Sequence, residues 1–386
     1  AWRYIAYHRI KTGILIASIM LIVYLPVGLN VLVDQSAEQL TARAGATPLL
    51  VGARGSPLEL ALNSLYFESD TPALTRYAEA ERIGAWGLAT PIPLYVRFRS
   101  RGHPIVGTTL DYFEFRGLSL AQGRMMATLG EAVIGARVAR SLRLGAGDTV
   151  VSSPETVFDL AGVYPLKMKI AGVLAPNFSP DDEAIFVDIK TAWVMEGLGH
   201  GHQELASPEA SSAVLSREGN RIVANASVIQ YNEITAENID SFHFHGDNAD
   251  FPLSAVVPVP VDKKSGVLLM GRYQGGSEAS QIIEPLSVID ELLGTVVSIQ
   301  QFVVAAVIIV SLATVATAAL VFMLSLRLRR REIDTMFKIG ASRSRVTGTL
   351  ASEVIVVLAL AILLAAVLTA LTSQYGTDII DNLILS

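Results

Sequence analysis

Four of the six histidines form two His-x-His pairs, and this spacing suits a metal site. The pairs are His200 with His202 and His243 with His245. Histidines two residues apart point to the same side of an extended strand, and zinc readily binds imidazole nitrogens. Acidic side chains, which also bind zinc, stand nearby at positions 196, 204, 247 and 250. The sequence leaves two alternatives open: a zinc site formed by these four histidines, or two solvated loops.

The motifs of several common enzyme classes are absent from the sequence. No G-x-x-x-x-G-K-S/T loop occurs, since the Lys-Thr pair at Lys190 and the Lys-Ser pair at Lys264 lack the glycines. G-x-S-x-G, H-E-x-x-H and G-x-G-x-x-G are also absent. Zero cysteines exclude a disulfide scaffold, a thiolate metal site and a cysteine nucleophile. Nothing in the sequence therefore indicates catalysis by this chain.

Three uncharged apolar blocks indicate a membrane protein. Of the 386 residues, 51% are hydrophobic and only 17% are charged, against about 25% charged in soluble proteins. The excess lies in residues 13–33, 296–326 and 354–372. Each block has about the 20 residues that a helix needs to cross roughly 30 Å of hydrocarbon. Near the outer end of the second block, Gln300 and Gln301 are candidates for hydrogen bonds between helices.

Basic residues flank these blocks asymmetrically. Arg3, Arg9 and Lys11 precede the first block, and seven basic residues lie between the second and third: Arg327, Arg329, Arg330, Arg331, Lys338, Arg343 and Arg345. Because short basic flanks stay in the cytoplasm, we expect a cytoplasmic amino terminus and a cytoplasmic loop 327–353. A cleaved signal peptide is the alternative for the first block, although its apolar run is long for one.

The residues between the first two blocks are predicted to form a large α+β domain outside the cytoplasm. Acidic residues outnumber basic ones there, which argues against nucleic acid as a partner. Ser56, Pro57 and Glu59 form a helix-start signal. Period-3.6 and period-2 patterns predict helices at 57–66, 136–142 and 189–195, and strands at 94–98, 104–109, 131–134, 167–174, 184–187, 221–233 and 253–261. Residues 198–219 are predicted to be a loop, and 282–293 a helical stalk.

The loop after the second block carries a recognisable motif. Its residues read Arg331-Glu332-Ile333-Asp334, then Phe337-Lys338-Ile339-Gly340-Ala341-Ser342-Arg343, with Val346 and Glu353 further on. This arrangement resembles the signature of FtsX-like permease domains and departs from it at Asp334, where glycine is common. The large domain supports the same family. Its residues 131–135, 138–148, 170–174 and 184–187 resemble the MacB-like periplasmic core domain, and 51–58 resemble relatives of LolC and LolE.

That family implies a function and partners. Its members are transmembrane subunits of MacB-type ABC transporters, which work as dimers with cytoplasmic ATPase subunits that bind ATP and Mg. The resemblance implies a non-enzymatic chain of the bacterial inner membrane that transmits ATP-driven closure to its periplasmic domain. A second copy or a paralogue completes the dimer, and a periplasmic lipoprotein or adaptor is a further implied partner. The implied task is extraction or export of a lipoprotein, lipid or peptide.

The predicted fold is therefore an α-helical transmembrane protein with a large α+β extracytoplasmic domain inserted between the first and second transmembrane helices. It divides into a cytoplasmic amino-terminal segment (1–11), helix 1 (12–34), the periplasmic core domain (35–292), the stalk with helix 2 (293–326), a cytoplasmic coupling segment (327–353), helix 3 (354–373) and an extracytoplasmic end (374–386). The family has a fourth transmembrane helix, which we expect to be missing here because the sequence ends at Ser386.

Nine residues of the coupling segment are predicted to contact the ATPase. Ile333, Phe337 and Gly340 share one helical face, which suits docking in a groove of a partner. The alternative is a helix that lies on anionic lipid. The nine residues are Arg331, Glu332, Ile333, Phe337, Lys338, Ile339, Gly340, Ala341 and Arg343. For the whole chain, the competing hypotheses are a periplasmic sensor, a regulator of a cell-wall hydrolase and a zinc-linked envelope transport system.

Overall fold

The computed structural model of the chain describes residues 9–68, 71–153, 165–201, 214–218, 221–224, 231–274, 279–328 and 330–384. It contains two compact units. One comprises Ala1–Leu40 and Glu291–Ser386, and the other comprises Thr41–Asp290. The boundary between them falls inside two long helices, α1 (Arg9–Gly45) and the helix Pro285–Leu328.

The first unit is helical. Besides the amino-terminal part of α1, it contains most of α8 (Pro285–Leu328), α9 (Arg330–Lys338) and α10 (Arg343–Ile384). Three stretches are long and apolar enough to cross a membrane, at Thr12–Gly45, Pro285–Thr317 and Arg343–Gln374. Each overlaps one of the predicted blocks. The helices continue beyond the predicted ends because polar residues next to each block remain helical.

Polar side chains join the helices of this unit. The hydroxyl groups of Tyr24 on α1 and Thr372 on α10 lie 2.8 Å apart. The Gln300 side-chain amide on α8 donates to the side-chain oxygen of Asn30 on α1, which confirms the interhelical bond predicted for Gln300. Hydrogen bonds of this kind hold apolar helices together where the surroundings offer no hydrophobic driving force.

The second unit contains a mixed sheet of ten strands with helices on its faces, which confirms the predicted α+β class. The strands of this sheet are β1 (Leu50–Ala53), β3 (Ala89–Ser100), β4 (His103–Thr108), β5 (Leu120–Gly123), β6 (Glu131–Ile134), β7 (Thr149–Val151), β8 (Lys167–Leu174), β9 (Ile185–Asp188), β15 (Ala255–Pro260) and β16 (Ser280–Ile283). Their order is β16-β1-β15-β3-β4-β9-β6-β8-β5, and β7 pairs with β8. Among these strands the pairs β4–β9 and β6–β8 are parallel, and the other neighbours are antiparallel.

Among the residues that the structure describes, three short ribbons and six helices complete the unit. The ribbons pair β2 (Thr75–Arg76) with β14 (Pro252–Leu253), β10 (Gly199–Gly201) with β13 (Phe242–Phe244), and β11 (Val214–Glu218) with β12 (Arg221–Ala224). The helices are α2 (Pro57–Tyr66), α3 (Ala78–Trp86), α4 (Asp111–Arg116), α5 (Ala136–Leu142), α6 (Ile189–Met195) and α7 (Lys263–Tyr273). Short 3-10 turns occur at Pro180–Glu183, Ile239–Ser241 and Asn248–Asp250.

Both faces of the central sheet are buried, as the alternation along β3 shows. Leu94 and Val96 pack into one hydrophobic core, which also contains Tyr112 of α4. Tyr95 points into the other core, together with Trp193 of α6. Because successive side chains of a strand point to opposite faces, the sheet separates the two cores.

Local signals account for the helices that were predicted correctly. The Ser56 hydroxyl accepts a hydrogen bond from the Glu59 amide, and α2 then runs over the predicted residues 57–66. The predicted loop 198–219 is wrong where β10 and β11 form. Strand β10 pairs with the distant β13, which the local pattern does not reveal, and β11 pairs with the neighbouring β12. The predicted strand 221–233 is shorter, since only Arg221–Ala224 is a strand and 225–230 lie outside the described residues. The stalk helix begins at Pro285, after β16.

A buried ion pair links the last turn of α1 to the rest of the second unit (Thr41–Asp290, the sheet domain). Arg43 and Asp181 have side chains that are only 7% and 1% exposed. Two guanidinium nitrogens donate to the two oxygens of the Asp181 carboxylate, at 2.7 and 2.9 Å. The guanidinium also donates to the hydroxyl of Tyr112, and to the carbonyl of Leu65. Tyr112 in turn donates to Asp181 at 2.7 Å. A bidentate pair of this kind is strong and directional.

The electrostatics of this cluster follow from its burial. Burial by itself would raise the pKa of Asp181, but the charge and hydrogen bonds of Arg43, with the Tyr112 hydroxyl, outweigh it and lower that pKa. Burial, followed by the nearby Asp181 charge, raises the pKa of Tyr112 to about 12. Asp181 is therefore an anion, and Tyr112 is a neutral donor to it.

Loss of the anion should destabilise the domain strongly. Asp181→Asn leaves the Arg43 charge buried without a counter-ion, and we expect the free energy of unfolding to fall by about 3–5 kcal/mol. The matched control is Asp250→Asn, which removes the exposed pair with Arg76 and should cost at most about 1 kcal/mol. Urea unfolding of the full chain in detergent, followed by near-ultraviolet circular dichroism, measures both. Equal losses would contradict the role given to Arg43.

The same pair predicts a pH dependence. The folded-state pKa of Asp181 lies below its unfolded value, so its contribution to stability is complete above about pH 4 and is lost as the pH falls through the lowered pKa. We expect the stability difference between the wild type and Asp181→Asn to narrow on acidification below about pH 4. Urea titrations at falling pH measure this stability difference. A difference that stays constant below about pH 4 would contradict the role given to the Asp181 carboxylate.

Candidate functional site

The predicted coupling residues form a helix, a tight turn and the start of a second helix. Helix α9 ends in a Schellman turn at Gly340, which has a φ of +90°. The Gly340 amide donates to the Phe337 carbonyl, and the Ala341 amide donates to the Met336 carbonyl. Ser342 then accepts hydrogen bonds from the amides of the next helix, at Arg345 and Val346. The Gly-Ala-Ser sequence therefore ends one helix and begins the next.

The side chains of this segment present apolar and basic groups together. Phe337 is 40% exposed and Ile339 is 79% exposed, although both lie between two candidate membrane spans. Ile333 lies one turn before Phe337 and is half-buried. Ala341 is half-buried, and Glu332 lies on α9. The exposed members of the segment are Arg331, Lys338, Gly340 and Arg343. The arrangement provides an apolar surface next to positive charge, which suits a partner with an apolar groove and acidic residues.

The histidines lie on a separate feature, the β10–β13 ribbon. His200 of β10 is directly opposite His243 of β13. Strand β13 ends one residue before His245, whose amide donates to the Leu198 carbonyl at 3.1 Å. The three imidazole rings have centroids 4.8–4.9 Å apart. One ligand atom of each ring lies within 4.8 Å of the others. His202 lies outside the described residues.

Glycine and phenylalanine residues cover the opposite face of this ribbon. Gly199 pairs with Phe244, and Gly201 pairs with Phe242. A methyl group at either glycine would come within about 2.6 Å of the opposite phenyl ring. Directly opposite residues of an antiparallel pair point to the same face, so the phenyl rings take one face and the histidines take the other.

Neighbouring groups orient His243 and engage the acidic residues considered as zinc ligands. The Ser241 carbonyl lies 3.0 Å from Nδ1 of His243, and since a carbonyl oxygen only accepts, Nδ1 is the donor in this hydrogen bond. Glu196 instead accepts hydrogen bonds from Tyr95 and Arg97. Asp247 caps the Ala249 amide, and Asp250 pairs with Arg76. Glu204 lies outside the described residues.

Sequence reasoning missed Arg43, the most deeply buried cation described above. Its signal was weak: a single arginine after a long apolar helix, set among the small residues Ala42, Ala44 and Gly45. Asp181, its partner, is far along the chain, in a turn that follows Ser179 and Pro180. Small neighbours on a helix allow another element to approach it closely, but the sequence does not identify that element.

The described part of the chain therefore combines three candidate membrane spans with a large α+β domain built on a mixed sheet. Two family models match the chain: the MacB-like periplasmic core domain over residues 13–230, and the FtsX-like permease C-terminal domain over residues 304–382. The chain belongs to the FtsX/MacB-type ABC transporter permeases. Members of this family are transporter components that work with ABC ATPase partners, and their permease domains are generally not catalytic themselves.

Two solved structures match the chain at low sequence identity. The extracellular domain of the noncanonic ABC-type transporter YknZ from Gram-positive bacteria is 13% identical, covers 61% of this chain and 98% of its own, and gives a TM-score of 0.33. The periplasmic region of MacB from Actinobacillus actinomycetemcomitans is 10% identical, covers 64% and 94%, and gives 0.34. None of the curated proteins matches the chain.

The turn at Gly340 predicts opposite effects for two glycine substitutions. Gly340→Ala forces alanine into a left-handed conformation and should cost about 1 kcal/mol, which raises amide exchange in residues 336–342 about fivefold. Gly348→Ala is the control, because Gly348 lies inside α10 with nothing within 4 Å of an added methyl group, and there alanine should slow exchange. Hydrogen exchange with mass spectrometry of the full chain in detergent measures both. Equal effects of the two substitutions would contradict this account of the turn.

Proposed function

We propose that the chain is the transmembrane subunit of a MacB-type ABC transporter that couples ATP hydrolysis by a separate cytoplasmic ATPase to movements of its periplasmic domain. The observation that carries the proposal is the order of the two family matches, with the periplasmic core domain first and the permease domain after it. In this proposal the work done is extraction or export of a lipoprotein, a lipid or a peptide. ATP and Mg bind to the partner subunit.

The charge distribution supports the membrane orientation of this proposal. Basic residues stand before the first candidate span and between the second and third, while the sheet domain is acidic. Under the positive-inside rule, helix α9 is cytoplasmic and the sheet domain is periplasmic. We therefore place the chain in the bacterial inner membrane as a multi-pass protein. It works as a dimer with a second copy or a paralogue, and a periplasmic lipoprotein or adaptor is a further candidate partner.

The coupling residues support contact with the ATPase. Apolar side chains that are exposed together and bordered by charged ones mark interaction sites, and Phe337 and Ile339 are exposed on either side of Lys338. The Schellman turn at Gly340 makes α9 and the start of α10 a defined helical corner rather than a flexible loop. A short helix with an apolar face and flanking Arg331, Lys338 and Arg343 fits a groove in a partner.

The Arg43 cluster supports transmission within the periplasmic domain. A displacement of the last turn of α1 acts directly on Asp181 and Tyr112, because the guanidinium binds both. Tyr112 packs against Phe186 of β9 in the central sheet, with ring centroids 5.5 Å apart. Protein interiors are close-packed and barely compressible, so such a displacement moves packed elements together. We propose that motion of α1 is transmitted to the central sheet through this cluster.

Isolation of the native complex tests the proposed class. The chain is purified from its native membrane in mild detergent, and bound proteins are identified by mass spectrometry. We expect a small ATPase with a Walker motif, because this chain lacks a nucleotide-binding loop. A second permease or a periplasmic protein alongside would narrow the substrate. Recovery of a kinase or a cell-wall hydrolase without any ATPase would contradict the proposal.

A substitution on α9 tests the coupling residues. Phe337→Ala removes an exposed aromatic anchor and should lower permease-stimulated ATP hydrolysis about tenfold, because truncating a contact residue that contributes about 1.4 kcal/mol to binding weakens the interface tenfold. Thr335→Ala is the matched control on the same helix. It removes only a hydroxyl bonded to the Arg331 carbonyl and should leave the rate unchanged.

Both variants are reconstituted in vesicles with the co-purified ATPase, at matched amounts of protein. If α9 only lies on lipid, Phe337→Ala will change its binding to anionic vesicles without changing ATP hydrolysis. That outcome would rule out docking through Phe337.

A further inference from the structure

We propose that His200, His243 and His245 form a zinc site on the β10–β13 ribbon of the periplasmic domain. This site is independent of the proposed contact with the ATPase. Two observations point to it. The centroids of three imidazole rings, from β10, from β13 and from the residue just after β13, lie within 4.9 Å of one another. The register of the ribbon places His200 directly opposite His243.

The backbone presents the three rings on one face. His243 and His245 are two residues apart and point to the same side, and His200 joins them from the facing strand. The phenyl rings of Phe242 and Phe244 cover the two glycines on the other face, so neither histidine strand can turn over without losing that packing. A slip of the register by one residue would place the histidines opposite phenylalanines.

The distances fit a site that closes on the metal. Zn–N bonds of about 2.0–2.1 Å place tetrahedral ligand nitrogens about 3.3 Å apart. The ligand atoms here lie within 4.8 Å of one another. Rotation of the imidazole side chains brings them together without a change of backbone pairing, since His245 is exposed and lies beyond the end of its strand.

Three imidazole nitrogens favour a transition metal ion of borderline hard–soft character. Imidazole nitrogens suit zinc, copper and nickel, whereas calcium and magnesium require oxygen ligands. Three protein nitrogens with a fourth position for water form a tetrahedral set that zinc commonly adopts. The hydrogen bond between Nδ1 of His243 and the Ser241 carbonyl orients that ring for coordination through Nε2, as backbone carbonyls do for metal-binding histidines.

Zinc at this position would tie together two distant parts of the chain. His200 follows α6, which packs in the core beneath the sheet, whereas His243 and His245 precede the Asn248–Asp250 turn and Phe251 of the same core. The metal would add a further link between these two parts, beside the backbone pairing of the ribbon. Zinc should therefore raise the unfolding temperature of the periplasmic domain.

Zinc titration of the full chain tests the proposal. The protein is purified in detergent through a tag without histidine, treated with a chelator, and titrated with ZnCl₂ against a chromophoric competitor. We expect one zinc ion per chain and a rise in the unfolding temperature. His200→Gln, His243→Gln and His245→Gln should each weaken the affinity by at least about 100-fold, because each removes one ligand of a three-histidine site.

His103→Gln is the matched control. His103 lies on β4, where its ring contacts the Glu183 carbonyl and the Ser141 hydroxyl, and its replacement should leave zinc affinity unchanged. Circular dichroism checks that the variants remain folded. Co²⁺ in place of zinc should give the visible absorption of a four-coordinate ion in the wild type, and lose it in the three variants. An unchanged affinity in those variants, or no zinc bound by the wild type, would overturn the proposal, whatever ATPase is recovered with the chain.

Discussion

Burial of the Arg43 guanidinium is the constraint on which the periplasmic domain depends. A charge taken out of water must find a counter-ion and partners for its donors, and this requirement places Asp181, Tyr112 and the Leu65 carbonyl around one helix end. The Pro180–Glu183 turn that carries Asp181 lies against the start of α5. Only glycine fits at Gly135, because a methyl group there would meet the Asp182 carbonyl oxygen at 2.3 Å. The cluster therefore connects α1, α4 and this turn.

The sequence predicted elements that depend on residues close together in the chain, and it missed those that depend on residues far apart in the chain. Helix α2 was predicted within its observed bounds because Ser56 and Pro57 act on residues one turn away. The β10–β13 ribbon was missed because its pairing joins His200 to His243 across a long stretch of chain, and no local pattern encodes that register. The chemistry of the histidines was visible in the sequence, whereas their convergence needed the fold. Arg43 was missed for the same reason, since Asp181 is distant in sequence.

The coupling segment (residues 327–353) was predicted from a family motif rather than from a local pattern. Nine of its residues were predicted to contact a partner on that ground, and the structure gives conformational reasons for two positions of the motif. Gly340 ends α9 in a left-handed turn, and Ser342 caps α10. Conformation explains these two positions, but it does not explain Phe337 and Ile339, which are apolar and exposed. Apolar side chains exposed together beside charged ones are typical of interaction sites, and the proposal assigns these two residues to a partner on that ground.

In the proposed function, ATP hydrolysis in a partner subunit moves the helices of this chain, and that movement changes the conformation of its periplasmic domain. Hydrogen exchange of the permease and its co-purified ATPase in lipid nanodiscs tests this claim most directly, with peptides compared during ATP turnover and without nucleotide. The account predicts altered exchange in the segment around Gly340 and also in the periplasmic peptides that contain Arg43, Tyr112 and Asp181. Altered exchange confined to the segment around Gly340, with residues 41–290 unchanged during active hydrolysis, would contradict it.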